Sequence, residues 1–346
     1  MIIQVVGTGT IGEPLIGLLC NTKKDLGLDE ITFYKHSPTL IDRPMVKDLM
    51  NRGANLCVKK ERIKDFQELG LEPKYELEEA IRRADVVIDC TPRGIGLANK
   101  EKYYTRYCDR VKGFLAQGSE FGFGKMYAVG INDEVITPED NFIHIVSCNT
   151  HNIAVIIKTL GMHDLREGRF VCIRRANDIS EERNYIPAPE VGEHSGEMGT
   201  HQALDVYHLY KTLGIELNVF SSSLKINTQY MHCIWFDVKL DRKIAKDEVI
   251  QRFIDNPRVA VTNKTSSNLA FSFGRDHGHY GRILDQTIVV LPTLHVVNGN
   301  EVVGFCFTPQ DGNSLLSSVT AAERLLYPDS YEEKLKCLEP FLFEEV

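Results

Sequence analysis

The chain opens on an apolar run, Met1–Val6, in which Gln4 is the one polar interruption. A short run of this kind, rich in β-branched residues, predicts a buried strand. It passes directly into Gly7-Thr8-Gly9-Thr10-Ile11-Gly12 and then into an apolar helical stretch, Glu13–Leu19. Similar patterning predicts strands at Glu30–Tyr34, Ala84–Asp89, Gly113–Gln117 and Ile143–Ser147, with helices at Pro44–Arg52 and Glu61–Leu69. Strands alternating with helices imply a parallel sheet with right-handed crossovers. After a helix at Ile153–Leu160 the pattern changes to strand-like runs at Arg169–Arg174, Glu216–Ser221, Met231–Leu240 and Ile288–Val297, with a helix at Lys246–Asp255. Runs of strands with few helices imply a mainly antiparallel sheet. A helix is expected at Ser314–Leu326, and Glu332–Val346 reads as helical or loosely docked. The stretch Asp178–Thr200, rich in Glu, Gly and Pro, is the longest irregular segment, and such loops are more often functional than accidental.

The expected fold class is therefore α/β: a Rossmann-type parallel-sheet nucleotide-binding domain plus an α+β catalytic domain with a mainly antiparallel sheet. The first is expected over residues 1–147, joined by the C-terminal helix within 310–346, and the second over residues 148–309. A length of 346 residues agrees with two domains.

The glycine pattern has a mechanical reading because a strand precedes it and a helix follows. Gly7 makes the tight turn, Gly9 lets a pyrophosphate approach the backbone, and Gly12 lets helix and strand pack closely. The backbone N–H groups at the helix start, around Thr10 and Ile11, then face the phosphates. The second strand ends in Phe33-Tyr34-Lys35-His36-Ser37, without the carboxylate that NAD-specific proteins place there. Lys35 can pair with a 2′-phosphate, so NADP is expected as well as NAD; the plainer reading makes it an exposed loop lysine. Thr91 and Gly118 follow later strand ends, where parallel sheets gather their ligands.

Composition narrows the partners. Hydrophobic residues at 43% and charged residues at 25% are ordinary for a globular protein, while a net charge of −8 argues against nucleic acid or an acidic membrane surface. No apolar run approaches the roughly 18–20 residues that span a bilayer, and the N-terminus reads as a strand rather than a signal peptide. The nine cysteines are scattered, with no C-x-x-C pair. That implies reduced thiols in a cytoplasm, with neither a disulfide framework nor a metal site. Most such thiols pack as small apolar residues. Cys148 differs, because it lies between a strand end and a helix start, where backbone N–H groups and the helix dipole favour a thiolate.

Ser147-Cys148-Asn149-Thr150, together with Gly7–Gly12, resembles the archaeal-type (type II) glyceraldehyde-3-phosphate dehydrogenases. Further segments resemble that family in the same order: Arg174-Arg175-Ala176, Thr200–Val206, Thr228–His232, Gly274-Arg275-Asp276 and Pro309-Gln310-Asp311. The resemblance implies a phosphorylating dehydrogenase of glycolysis or gluconeogenesis, a homotetramer, that oxidises its aldehyde through a cysteine thioester with NAD or NADP. It implies Cys148 as nucleophile and His232 as acid–base group, with His151 a weaker candidate. Arg175 and Gln310 are expected at the cofactor, with Asn313 an alternative to Gln310 at the nicotinamide amide. Ser147, Asn149, Thr150, Arg174, His201 and Gln202 are expected at the substrate and phosphate. His201-Gln202 stands where the family has a His-His pair, which leaves open another phosphorylated aldehyde or a semialdehyde. A non-catalytic nucleotide-binding protein is the remaining alternative.

Overall fold

The computed structural model describes residues 1–177, 186–309 and 311–346. Gln310, and residues 178–185 of the irregular stretch, lie outside the described residues. The chain forms two compact units: residues 1–127, 136–145 and 317–339 make one, and residues 128–135, 146–316 and 340–346 the other.

In the first unit, eight strands among the described residues form a wholly parallel sheet. They are β1 (Ile2–Val6), β2 (Glu30–Tyr34), β3 (Asn55–Val58), β4 (Tyr75–Glu76), β5 (Val86–Asp89), β6 (Gly113–Gln117), β7 (Lys125–Tyr127) and β8 (Phe142–Ile145). Their order is β4-β3-β2-β1-β5-β6-β8-β7, with the chain reversing direction of travel on either side of β1. Such a reversal point is where parallel sheets bind nucleotides, at the carboxyl ends of the strands. The central strands are apolar because helices cover both faces of a parallel sheet. Ile3, Val5, Val86, Val87, Ile88, Phe114 and Leu115 are all fully buried. The helix Gly12–Asn21 follows the glycine loop and buries Leu15, Ile16, Leu18 and Leu19.

In the second unit the strands β9 (Leu165–Arg174), β10 (Glu190–Val191), β11 (Val219–Lys225), β12 (Cys233–Leu240), β13 (Val259–Thr262), β14 (Thr287–Val290), β15 (His295–Val297) and β16 (Glu301–Phe307) form a mixed, mostly antiparallel sheet. The parallel pairings are β9 with β11 and β13 with β14. Along β12 buried and half-buried positions alternate, with Ile234, Phe236, Val238 and Leu240 facing the core. That is the period-two pattern of a sheet with one face packed. The helix Cys148–Gly161 is buried almost all round, from Asn149 to Ile157. Its first turn therefore holds polar side chains inside the protein.

Several elements differ from the patterns read in the sequence. The run Ile288–Val297 is two strands, β14 and β15, parted by a turn over Leu291–Thr293 in which Pro292 removes a ladder donor. Short strands at Asn55–Val58 and Lys125–Tyr127, and helices at Leu77–Arg83, Ile95–Lys102, His201–Lys211 and Ser267–His277, add to the expected set. The segment Glu332–Val346 contains the end of a short helix, Tyr331–Leu335, and a 3-10 turn, Lys336–Phe341. Glu345 then bridges to Val261 beside β13. Among the described residues no helix is long and apolar enough to cross a membrane.

Candidate active site

Cys148 is the first residue of its helix, and Ser147 is the N-cap. The Ser147 hydroxyl lies 2.8 Å from the Thr150 hydroxyl and accepts the Thr150 N–H at 3.4 Å. The expected Ser147 and Thr150 side chains thus shape the helix start that presents the thiol. His151 turns back, its Nδ1 lying 3.0 Å from the Ser147 carbonyl.

The imidazole beside the thiol belongs to His232. Its Nδ1 lies 3.9 Å from Cys148 Sγ and 3.1 Å from Asn149 Oδ1. His232 immediately precedes β12, and Thr308 immediately follows β16, its antiparallel neighbour. The Thr308 N–H donates to the His232 carbonyl at 2.9 Å, so the ladder continues for one more pair and sets the imidazole over the helix start. Burial, and next the Arg175 guanidinium with a smaller push from Arg174, lower the His232 pKa to about 3, with Asp311 pulling the other way. The ring is neutral at physiological pH and able to accept a proton.

Arg175 is engaged in a buried ion pair, its Nη2 2.9 Å from Asp311 Oδ2. Burial opposes the Asp311 carboxylate, but Arg175, His232 and Arg282 outweigh it and hold its pKa below the usual range. Asp311 takes a left-handed backbone conformation, φ 66°, a costly one for a non-glycine residue. Arg174 is the last residue of β9 and is half-buried.

Asn313 has a structural task. Its Nδ2 donates to the Cys148 carbonyl at 3.0 Å and to the Gln286 carbonyl at 3.1 Å, while its Oδ1 accepts the Ser314 N–H at 2.8 Å. With both amide ends engaged, it anchors the nucleophile's backbone rather than a nicotinamide amide.

His201 and Gln202 begin the helix His201–Lys211, His201 exposed and Gln202 buried, with Gln202 Oε1 lacking a hydrogen-bond partner. That helix start is tied to Ser221, whose hydroxyl accepts the Ala203 N–H at 3.0 Å. Ser221 pairs with Phe170 on β9, four residues before Arg174. At 3.3 Å per residue that is about 13 Å along the strand. Ser147, Cys148, Asn149, Thr150, Arg174, Arg175 and His232 are gathered at one end of the strands, and His201 and Gln202 lie further down them. Thr308 and Asn152, which no sequence motif marks, join the site, and Asp311 of the Pro309-Gln310-Asp311 segment joins it as the ion-pair partner of Arg175.

In the first unit the glycine loop has the shape that a dinucleotide needs. A side chain on Gly7, at φ 101°, would press on the Cys90 carbonyl oxygen at 3.0 Å, and one on Gly12 would run into the Gly7 carbonyl. A Cβ on Gly9 would meet nothing within 4 Å. Gly7 and Gly12 are thus small for packing, and Gly9 leaves its backbone open to a ligand. Thr10 and Ile11 complete the loop, Ile11 as the helix N-cap. Thr91 is held at the end of β5, its N–H and hydroxyl both donating to Asp89 Oδ1. Gly118 ends β6 in a left-handed turn, φ 74°, with open space at its Cβ position. Lys35 follows β2, and its Nζ is 2.8 Å from Asp42 Oδ2. A carboxylate absent from the strand end thus arrives from the next helix start.

No family model matches the chain. Glyceraldehyde-3-phosphate dehydrogenase of Sulfolobus acidocaldarius is 27% identical over 312 residues, covering 87% of this chain and 84% of its own length. That of Metallosphaera sedula is 28% identical over 313 residues, 87% and 85% of the two chains. The Sulfurisphaera tokodaii protein of the same name is 25% identical over 345 residues, 96% and 94%. This chain is similar to archaeal glyceraldehyde-3-phosphate dehydrogenases over most of its length.

Proposed function

We propose that the protein is an NAD(P)-dependent, phosphorylating glyceraldehyde-3-phosphate dehydrogenase. The observation that carries this reading is the thiol of Cys148 at a helix start, 3.9 Å from a buried, neutral His232. The Cys148 thiolate adds to the aldehyde carbon, forming a C–S bond as the carbonyl π bond opens, and the oxygen takes up from solvent the proton that the thiol had lost, which completes the hemithioacetal. Oxidised nicotinamide, when bound, supplies the hydride acceptor. His232 takes the hemithioacetal hydroxyl proton as the hydride leaves the same carbon, and a thioester remains on Cys148. A phosphate oxygen then attacks the thioester carbon, expelling the Cys148 thiolate and releasing 1,3-bisphosphoglycerate. Negative charge on the sulfur or the substrate oxygen raises the basicity of His232 at the moment it is needed.

Gly7, Gly9, Thr10, Ile11 and Gly12 would hold the pyrophosphate, with Thr91 and Gly118 along the same strand ends. Lys35, once released from Asp42, would meet a 2′-phosphate, so both NAD and NADP are cofactors in this reading. Gln310 is proposed at the nicotinamide, and Arg175 holds its end of the site through Asp311. Arg174 and the Asn149 N–H would receive phosphate oxygens, Ser147 and Thr150 would shape the helix start beside them, and His201 and Gln202 would act at the far side of the substrate. We place the protein in the cytoplasm, as a homotetramer acting on a small phosphorylated aldehyde and inorganic phosphate. Reduced cofactor forming from glyceraldehyde 3-phosphate only when phosphate is present, and not in Cys148→Ser, is the expected result. Cofactor binding without any turnover would sink it.

A second reading keeps the thioester chemistry and changes the aldehyde. Gln202 is buried in a helix whose start is tied to Ser221, itself about 13 Å along the sheet from the level of Arg174, and this favours a different phosphate position. Faster turnover of a tetrose phosphate or an amino-acid semialdehyde than of glyceraldehyde 3-phosphate would select it.

A further inference from the structure

Behind His232 a chain of buried polar side chains leads away from the nucleophile. Asn149 Oδ1 lies 3.1 Å from His232 Nδ1 and accepts the Thr308 hydroxyl at 3.2 Å. The Thr308 hydroxyl in turn accepts Asn152 Nδ2 at 2.9 Å. Asn152 Oδ1 accepts the Cys306 thiol at 3.2 Å. Asn149, Thr308, Asn152 and Cys306 are all buried, so water does not compete for these bonds.

The direction of the chain follows from its far end. Cys306 is fully buried, and burial pushes its thiol well up, so it stays protonated. The thiol has two acceptors within reach, Asn152 Oδ1 at 3.2 Å and the Ile234 carbonyl at 3.6 Å, and it donates to the nearer one. The Asn152 atom facing Cys306 is therefore its carbonyl oxygen, and its NH₂ faces Thr308. The Thr308 oxygen is then an acceptor toward Asn152 and spends its own proton on Asn149. The Asn149 atom receiving that proton is its carbonyl oxygen, which can only accept from His232.

We infer that Asn149, Thr308 and Asn152 are positioning residues that hold His232 in the tautomer protonated on Nδ1. The Nδ1–H then points toward both Asn149 Oδ1 and the Cys148 sulfur, and it stabilises the thiolate as a donor. Nε2 is the unprotonated nitrogen, and it receives the hemithioacetal proton. A histidine's tautomer is set by the bond its other nitrogen makes, and here the polar chain supplies that bond. The inference rests on the reading of His232 as the acid–base group.

The test uses the full-length protein with labelled histidine. Nitrogen NMR of wild type is expected to show His232 protonated on Nδ1 and free on Nε2. Thr308→Val lets the Asn149 amide turn, so the tautomer preference is lost. Its kcat for glyceraldehyde 3-phosphate falls at least about tenfold, with KM within about twofold, a part of the 10²–10⁴ that a positioned acid–base group supplies. The pH midpoint for alkylation of Cys148 by iodoacetamide moves up, and Thr308→Ser restores all three. Cys306→Ala, which removes a smaller group, moves the alkylation midpoint in the same direction by less. A wild-type His232 protonated on Nε2 overturns the inference. So do unchanged tautomer and alkylation profiles in Thr308→Val and Cys306→Ala when wild type is active. The expected tautomer and shifts in a wild type without turnover would sink the dehydrogenase reading and leave the positioning chain standing.

Discussion

Replacing Gly9 and Gly12 by alanine, one at a time, separates the part of the glycine loop that packs from the part that binds. A Cβ on Gly12 would lie 2.8 Å from the Gly7 carbonyl carbon, with the Gly7 oxygen nearer still. Carbon atoms in ordinary contact sit about 3.5–4.0 Å apart, so the backbone must yield by on the order of 1 Å. Overpacking of this sort costs about 1–3 kcal/mol, and the clash with the Gly7 backbone, with the Cys90 Cβ also close by, puts Gly12→Ala at the upper end. Gly9 lacks any neighbour within 4 Å of its Cβ position and is not among the glycines with positive φ. Gly9→Ala should therefore leave urea-induced unfolding within about 0.5 kcal/mol of wild type. Its methyl group occupies the approach to the backbone, and the dissociation constant for NADP, measured by fluorescence titration, should rise at least about tenfold. Gly12→Ala should lose both stability and cofactor binding. A stable Gly9→Ala protein that binds NADP as tightly as wild type would refute the reasoning, because the open space would then not be where the pyrophosphate lies.

Three further perturbations follow from the charges. Asp311→Asn removes the carboxylate of the buried ion pair with Arg175, and breaking such a pair costs about 3–5 kcal/mol, read from chemical denaturation at pH 7; a loss under about 1 kcal/mol would mean that the pair is solvated. Glu323 is buried with neither carboxylate oxygen hydrogen-bonded, and burial raises its pKa to about 8. The folded state holds its proton where the unfolded chain has lost it, so this group's contribution to stability declines as pH rises from about 4.5 to 8. Glu323→Gln should be the more stable protein at pH 9 and lose that advantage at pH 4, and equal melting profiles at both pH values would contradict this. Asp42→Asn frees Lys35 for a 2′-phosphate and should raise the NADP over NAD preference in kcat/KM about two- to fivefold, the scale of a part-exposed ion pair; an unchanged ratio would remove Lys35 from cofactor choice.

The sequence made the first unit legible because a parallel sheet writes itself as short apolar runs. β1, β2, β5 and β6 are such runs, and Gly7–Gly12 sits between strand and helix where the motif has meaning. β3 and β7 escaped notice because four or three residues cannot show a period. The Ser267–His277 helix carries Gly274 in its last turns, and its apolar positions are few. Pro292 divides a run that looks continuous by composition alone. At the site, Cys148 and His232 were found through the resemblance, and the structure sets them 3.9 Å apart although 84 residues separate them. Thr308 and Asn152 are not legible, since a hydroxyl and an amide at ordinary spacings carry no signal until the sheet brings them together, and Asp311 is legible only as part of a resembling segment, without a role. Lys35 was legible as a strand-end cation, but Asp42 was not, because its pairing depends on how the following turn bends back.

The proposed mechanism requires a thioester on Cys148. Intact-mass and peptide mass spectrometry after mixing the enzyme with glyceraldehyde 3-phosphate and NADP, in the absence of phosphate, tests it most directly. The account predicts one 3-phosphoglyceroyl group on the peptide that carries Cys148, discharged on adding phosphate and absent from Cys148→Ser. Turnover of the aldehyde with no acyl group on Cys148, or with the group on another cysteine, would contradict it.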